Sequence, residues 1–405
     1  MIPLDEARAR INRDINVLGP VKVRLSEARG LVLAESVVAA EDIPPFANTA
    51  MDGFAVVAAD TDSASPDNPM TLPVVATIAA GSVAPRALEA GEVMRIMTGA
   101  PMPEGADAVV KVESTKAVGG NLVEVIEDVA VGNHIRSAGG DIGAGTEVFT
   151  PGVTLSPGHL GVLASLGRLE VQAHRRPRVA VMSTGDELIE GPTPLQPGQI
   201  RDSNRWTLLA LVEESGCVPV DLGLLPDDDP TIRAALARAV DEADVVITSG
   251  GVSMGDFDLV KVILSELGDF NWMQVAIKPA KPLAFGLMQG VPVFGLPGNP
   301  VSSMVSFELF ARPALRAMMG HTNTERLQVM ALADESLNRF PDGKTHFQRV
   351  RLRLQADGAW HARSAGGQGS HQLSAMAEAD GLAILPDGDG VAAGSQVKVI
   401  HLGVC

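Results

Sequence analysis

Three short segments place glycines where a nucleotide-like ligand could be held, the first two with acids beside them: STGDEL (183–188), TSGGVSMGDFD (248–258) and LPGNP (296–300). Each sets a glycine at the end of a β-type run, where backbone amides can approach a ligand. Each then leads into a helix whose N-terminus favours anions. One such loop alone is no more than a tight strand-to-helix turn; several closing the strands of one domain point to a phosphate or nucleotide site. The acids at this edge are Asp186, Glu187, Asp227, Asp228 and Asp258. Asp229 is expected to be an ordinary helix N-cap followed by Pro230, which leaves Asp228 and Asp258 only partly explained by structure. Carboxylates facing a phosphate repel it unless a hard cation such as Mg²⁺ bridges them with its oxygen ligands, an arrangement suited to cleaving a phosphoanhydride. Positive charge comes from Lys278 and Lys281 in AIKPAKP, where flanking prolines limit backbone freedom and preorganise the two ammonium groups. Read alone, the same segment serves equally well as an exposed strand end.

The elements that carry these residues alternate between about Arg178 and Gly320. Short β-branched runs and amphipathic helices follow one another, the pattern of a largely parallel sheet covered on both faces. RVAVMSTG (178–185), CVPVDLGLL (217–225), DVVITSGG (244–251) and WMQVAIKP (272–279) read as strands. Ile232, Ala235, Leu236, Ala239 and Val240 repeat at helical spacing between the second and third of them. Asn299 and Pro300 open another helix, which carries Val301, Met304, Val305 and Leu309 toward Gly320.

The first 177 residues read differently, as a helical start followed by strands such as FAVVAAD (54–60) and NLVEVIEDV (121–129), with TDSASPDNP (61–69) as a surface loop. The Asp-Gly pair in NTAMDGFAV (48–56) reads as a hairpin turn, and RIMTGAPMPEGADAVV (95–110) mostly as loop. In HFQRVRLRLQ, Val350, Leu352 and Leu354 alternate with Arg349, Arg351 and Arg353, which puts the two sets on opposite faces of a strand and predicts solvated arginines. GLAILPDGDGVAAGSQVKVIHL reads as a closing hairpin region, completing a small C-terminal β domain.

Composition bounds the function. The 405 residues are 46% hydrophobic and 20% charged, ample for buried cores and for two to four domains. A net charge of −17 argues against a nucleic-acid backbone binder, so an anionic ligand must be met by a local cluster of cations. Cys217 and Cys405 have no metal-knuckle or disulfide spacing, and none of the eight histidines falls in an HExxH pattern. The start, MIPLDEARARINRD, lacks a signal-type apolar segment, and no run of about 20 apolar residues suits a membrane span. A cytoplasmic protein is expected.

In their order, NTAMDGFAV, RIMTGAPMPEGADAVV, STGDEL, SGGVSMGDFD, AIKPAKP, GLPGNPVS, FQR and GGQGSH closely resemble the molybdopterin molybdenumtransferases, the MoeA family, of which the gephyrin E domain is a relative. The resemblance covers essentially the whole chain. It implies a multidomain fold: a central doubly wound α/β domain related to adenylyltransferase domains, mixed and β-rich N-terminal domains, and a small C-terminal β-barrel. The implied divisions are 1–42 with 140–176 (a discontinuous helical and extended dimerisation domain), 43–139 (an inserted β-rich domain), 177–322 (α/β) and 323–405 (barrel). The implied reaction converts adenylylated molybdopterin and molybdate, with Mg²⁺, into molybdenum cofactor and AMP. Transient contacts with the adenylyltransferase and with apo molybdoenzymes follow from that pathway.

By matching motif, Asp52, Thr98, Glu187, Asp228 and Asp258 are implied to line the catalytic cleft, with Glu187, Asp228 and Asp258 on the metal. Ser183, Thr184, Gly185, Ser249, Gly250, Gly251, Ser253, Pro297, Gly298, Asn299 and Pro300 are implied to bind substrate. Lys278, Lys281, Arg349 and Ser370 match the positions that handle molybdate and the substrate's anionic groups. The family cleft is built in a homodimer, with the Asp52 and Thr98 region brought from the neighbouring subunit. Three positions depart from the family pattern: Phe54 stands for Tyr, Gly140 for Glu, and Ala280 for Gly.

Two rivals to this function are an adenylyltransferase acting on molybdopterin and an idle scaffold of the gephyrin type. The extra domains, and Gly250-Gly251-Val252-Ser253 where adenylyltransferases carry Gly-Gly-Thr-Gly, argue against the first. The complete set of acids and lysines argues against the second.

Overall fold

The computed structural model describes residues 1–250, 259–356 and 358–403. The chain divides into two compact units, one of Met1–Lys22, Gly30–Val32 and Gln172–Cys405, the other of Val23–Arg29 and Leu33–Val171.

The larger unit is built on a six-stranded sheet. Its first four strands in spatial order, Val218–Leu225, Arg178–Thr184, Val245–Ser249 and Val291–Leu296, run parallel. Pro282–Met288 and Asp269–Gln274 extend it as antiparallel neighbours. The central strands are buried apart from Arg178 at the start of one, which is why they read as unbroken apolar runs rather than as alternating ones. Helices Asp229–Glu242 and Leu259–Leu267 cover one face over Ala180, Met182 and Val246. The other face lies under Asn204–Glu214 and the helix that starts at Pro300. That second helix continues through a π turn at Phe307–Ala311 into Arg312–Met318, as its apolar spacing predicts. The fold is thus doubly wound.

Two local expectations are corrected here. WMQVAIKP is two strands, not one: Asp269–Gln274 stays in the α/β sheet, while Ile277–Lys278 leaves it and pairs with Thr345–His346. Proline at 279 lacks the N–H that a continuing ladder would need. The N-cap of Asp229–Glu242 is Asp228, whose carboxylate accepts from the Thr231 amide at 3.1 Å; Asp229 is the first helical residue and pairs with Arg233 at 2.8 Å.

The C-terminal strands close on themselves: Thr345–Leu354, Trp360–Ser364, Gln328–Ala333, Gln396–His401 and Gly381–Leu385 form a five-stranded barrel, the last pairing back to the first. One apolar core runs from Val179, Ile247 and Phe294 of the α/β sheet to Phe347, Leu382 and Ile400 of the barrel. It also takes in Ala7 and Ile11 of the N-terminal helix Leu4–Asn12. The alternation read for Thr345–Leu354 holds only in part. Arg353 is exposed, but Arg349 has no solvent-exposed surface and Leu354 is 61% exposed. Closure of the barrel and the cover of the 367–369 loop decide burial here, not the strand period.

The smaller unit holds another six-stranded sheet, in spatial order Ala108–Lys111, Gly53–Val56, Val93–Ile96, Met70–Ile78, Leu122–Val125 and Thr115–Gly119. The run read as a strand over 54–60 ends at Val56, before a 3-10 turn at Ala58–Thr61, and the one over 121–129 shortens to Leu122–Val125. Asp52-Gly53 is not a hairpin turn either. Gly53 begins a strand held between two others, and a Cβ there would lie 2.0 Å from the Val110 carbonyl oxygen. The glycine is needed for close backbone approach.

Candidate active site

The carboxyl ends of the three central parallel strands carry the small-residue loops. Asn204, at the start of its helix, ties them together: its Nδ2 donates to Ser249 Oγ at 2.8 Å and to the Gly298 carbonyl at 2.7 Å, while its Oδ1 is buried without a partner among the described residues. The Gly250 amide donates to Leu296 O at 3.1 Å. Ser183 is buried and donates to Asp202 Oδ1 at 3.1 Å. Thr184 and Pro297 are buried, whereas Gly298 and Asn299 are exposed before Pro300 opens the helix. Asp202 also pairs with the buried Arg205, which reaches Asp221 and Glu190 as well. Sequence reading passed over Asn204 and Arg205. Their signal was slight, a DSN triplet ahead of an amphipathic run.

The acids are exposed at this edge. Glu187 folds back over Gly185, since a Cβ on Gly185 would lie 2.6 Å from Glu187 Oε2. Asp186 accepts from the Asp227 amide at 3.0 Å. Asp228 Oδ2 is engaged by Thr231, which leaves Oδ1 for other work. Asp258, Gly251 and Ser253 lie outside the described residues. Among the described residues, no three acidic, histidine or cysteine side chains gather as a metal site. The available oxygens of Glu187 and Asp228 suit a hard cation in kind, but do not by themselves make its site.

The cations converge in the same unit. A cavity of about 660 Å³ is lined by Lys278, Lys281, Pro297, Asn299 and Ser370, and the Val301 amide donates to Ser370 O at 3.1 Å. A second cavity, of about 840 Å³, is lined by Lys278, Arg349, Gln348 and His346. Lys278, Pro279 and Gln368 line both. Arg349 Nη2 donates to the carbonyls of Gly367 at 2.7 Å and Gly369 at 3.0 Å, and its Nε is buried with no partner among the described residues. Among the described residues no carboxylate pairs with Arg349, Lys278 or Lys281. Burial without a counter-ion pushes the Arg349 guanidinium down to about 10. Three cations without counter-ions, beside a serine hydroxyl, suit an oxyanion. Gln368 locks the loop that holds Arg349, accepting from the Arg349 amide at 2.9 Å and donating to its carbonyl at 3.0 Å.

In the smaller unit, Asp52 and Thr98 meet. The Thr98 amide and hydroxyl both donate to Asp52 Oδ1, at 2.6 and 2.7 Å. These bonds, with the Arg95 charge, hold the Asp52 carboxyl below the usual carboxylate range. Arg95 also stacks over Phe54, its guanidinium carbon 5.4 Å from the ring centroid.

Residues 2–167 match the MoeA N-terminal region (domain I and II), residues 180–317 a probable molybdopterin binding domain, and residues 338–402 the MoeA C-terminal region (domain IV). The chain belongs to the MoeA family. It is 43% identical over 390 residues to molybdopterin molybdenumtransferase 2 of Mycobacterium tuberculosis, covering 95% of each chain. To the molybdopterin molybdenumtransferase of Haemophilus influenzae it is 37% identical over 402 residues, covering 98% of each. The crystal structure of a molybdopterin biosynthesis MoeA protein from Pyrococcus horikoshii OT3 superposes with a TM-score of 0.82 at 32% identity, covering 98% of this chain and 99% of that one. As a MoeA-family molybdopterin molybdenumtransferase, the chain is an enzyme of molybdenum cofactor biosynthesis. No helix among its described residues is long and apolar enough to cross a membrane.

Proposed function

We propose that this MoeA-family enzyme transfers molybdenum from molybdate to adenylylated molybdopterin, with cleavage of the phosphoanhydride and release of AMP, as a cytoplasmic homodimer. The observation that carries this reading is the buried Arg349, without a counter-ion among the described residues, lining a cavity with Lys278 that is continued by Lys281 and Ser370. Such a cluster, in a chain of net charge −17, supports capture of a small dianion at short range.

In this reading Arg349, Lys278, Lys281 and Ser370 orient molybdate. Ser183, Thr184, Gly185, Ser249, Gly250, Gly251, Ser253 and the 297–300 turn cradle the substrate's phosphates at the strand ends. Glu187, Asp228 and Asp258 would hold Mg²⁺, whose chemistry when bound is to neutralise phosphate charge as the anhydride breaks. Asp52, kept ionised by Thr98, completes the cleft from the neighbouring subunit.

The test is incubation with adenylylated molybdopterin, molybdate and Mg²⁺, followed by assay of AMP and of activation of an apo molybdoenzyme. Molybdate-stimulated AMP release with activation is the expected result. An adenylyltransferase would instead consume ATP and molybdopterin, and a scaffold would release nothing.

A further inference from the structure

Phe340 is 88% exposed in a chain with only 3% aromatic residues. The loop that presents it is firmly held. Arg339, its side chain wholly out of solvent, donates from Nη2 to the Phe340 carbonyl at 3.2 Å and from Nη1 to the Lys344 carbonyl at 2.6 Å. The same guanidinium pairs with Asp342 at 2.9 Å and Asp387 at 2.6 Å. An apolar ring fixed in water is a cost unless something covers it.

Phe340 lines the larger oxyanion cavity, the one also lined by Lys278 and Arg349. So does Asp389, an exposed residue whose carboxylate has no hydrogen bond or ion pair among the described residues. Asp389 is fixed from below, because the Arg339 amide donates to its carbonyl at 3.2 Å and the adjacent Gly390 pairs with Asn338. The other acid of this cavity, Asp342, is committed to Arg339, Lys344 and His346. Neither a bare ring face nor a lone carboxylate serves molybdate, since the first offers it no charge and the second repels it. Together they match a planar ring with N–H donors along one edge.

We propose that Phe340 and Asp389 form the subsite for the substrate's pterin ring, Phe340 stacking on its face and Asp389 accepting the paired N–H donors of its 2-amino-4-oxo edge. The inference rests on the reading that this cavity receives adenylylated molybdopterin. Molybdenum ends on the dithiolene carried by the pterin, so the ring beside the oxyanion cations is the pterin, and adenine lies across the phosphoanhydride. Adenine also presents ring acceptors beside its single amino group, a poor match for a carboxylate.

The test compares Phe340→Ala and Asp389→Ala with the unaltered protein and with Leu354→Ala, which removes another exposed apolar side chain of the barrel. Each of the first two is expected to raise KM for adenylylated molybdopterin about tenfold, and to weaken equilibrium binding of molybdopterin lacking the adenylyl group by a similar factor. Binding of AMP alone and the molybdate concentration for half-maximal rate stay unchanged, and Leu354→Ala changes none of these. Unaltered molybdopterin binding in both variants overturns the subsite. Loss of AMP binding in its place overturns the pterin assignment in favour of adenine. Absence of AMP release from the unaltered protein overturns the transferase reading instead, and molybdopterin binding remains measurable without turnover.

Discussion

A single carboxylate oxygen of Asp228 accepts two hydrogen bonds from Thr231, from the amide at 3.1 Å and from the hydroxyl at 2.5 Å. Asp228 is therefore a helix cap as well as a candidate cleft residue, and the two duties separate by substitution. Asp228→Ala should cost about 1 kcal/mol of stability and abolish AMP release. Asp228→Ser keeps an acceptor for the Thr231 amide and should recover most of that stability without restoring activity. Denaturant unfolding alongside an AMP assay checks both, and wild-type turnover by either variant would remove Asp228 from the mechanism.

Ala280 is buried at φ +77°, in the left-handed region that glycine occupies freely, and it stands where the family pattern has glycine. The strain is about 1–2 kcal/mol, against about 0.4–1 kcal/mol of added chain entropy when glycine replaces alanine. Ala280→Gly should therefore stabilise the protein by roughly 0.5–1 kcal/mol, read as a raised Tm. A lowered Tm would mean that the methyl group's packing outweighs the strain.

His321 is buried near Arg316, Arg312 and Arg176, and burial first, then those charges, push its pKa down to about 4. The unfolded chain binds the proton at a pKa near 6.5, the folded protein only near 4. Stability from this group is present above pH 6.5 and is lost as pH falls toward 4, by an amount on the order of 3 kcal/mol. His321→Gln should flatten that part of the stability profile, which urea unfolding between pH 7 and 4.5 would show; an unchanged slope would place the acid sensitivity elsewhere.

The strand-end loops were legible because glycine and small polar residues close buried β-branched runs, a local signal. Arg349 could be placed on a strand from sequence, but its burial could not. That depends on barrel closure and on a loop about twenty residues onward, contacts that no strand period encodes. Asp228 was passed over as the cap for a related reason: three consecutive acids offer the same side chain, and the choice rests on which one reaches Thr231. The contacts that tie Asn204 and Gln368 to the site are to residues distant in the chain, Ser249 and Gly298 for the first and Arg349 for the second.

In a shared-cleft homodimer, Asp52→Ala and Asp228→Ala damage different subunits' contributions to one site. Mixing the two inactive proteins under conditions that allow subunit exchange should restore a fraction of AMP release. Exchange without recovery would mean that each subunit carries a complete site.

The central claim is that the buried guanidinium of Arg349, which no carboxylate among the described residues pairs, captures molybdate. AMP release from adenylylated molybdopterin, titrated with molybdate, tests it in Arg349→Met, which keeps an unbranched apolar stem and removes the guanidinium and its charge, against Arg353→Met on the exposed end of the same strand. The account predicts at least a tenfold higher molybdate requirement for the first, with binding of adenylylated molybdopterin nearly unchanged, and no change for the second. An unchanged molybdate dependence in the Arg349 variant, or equal shifts in both variants, would contradict it.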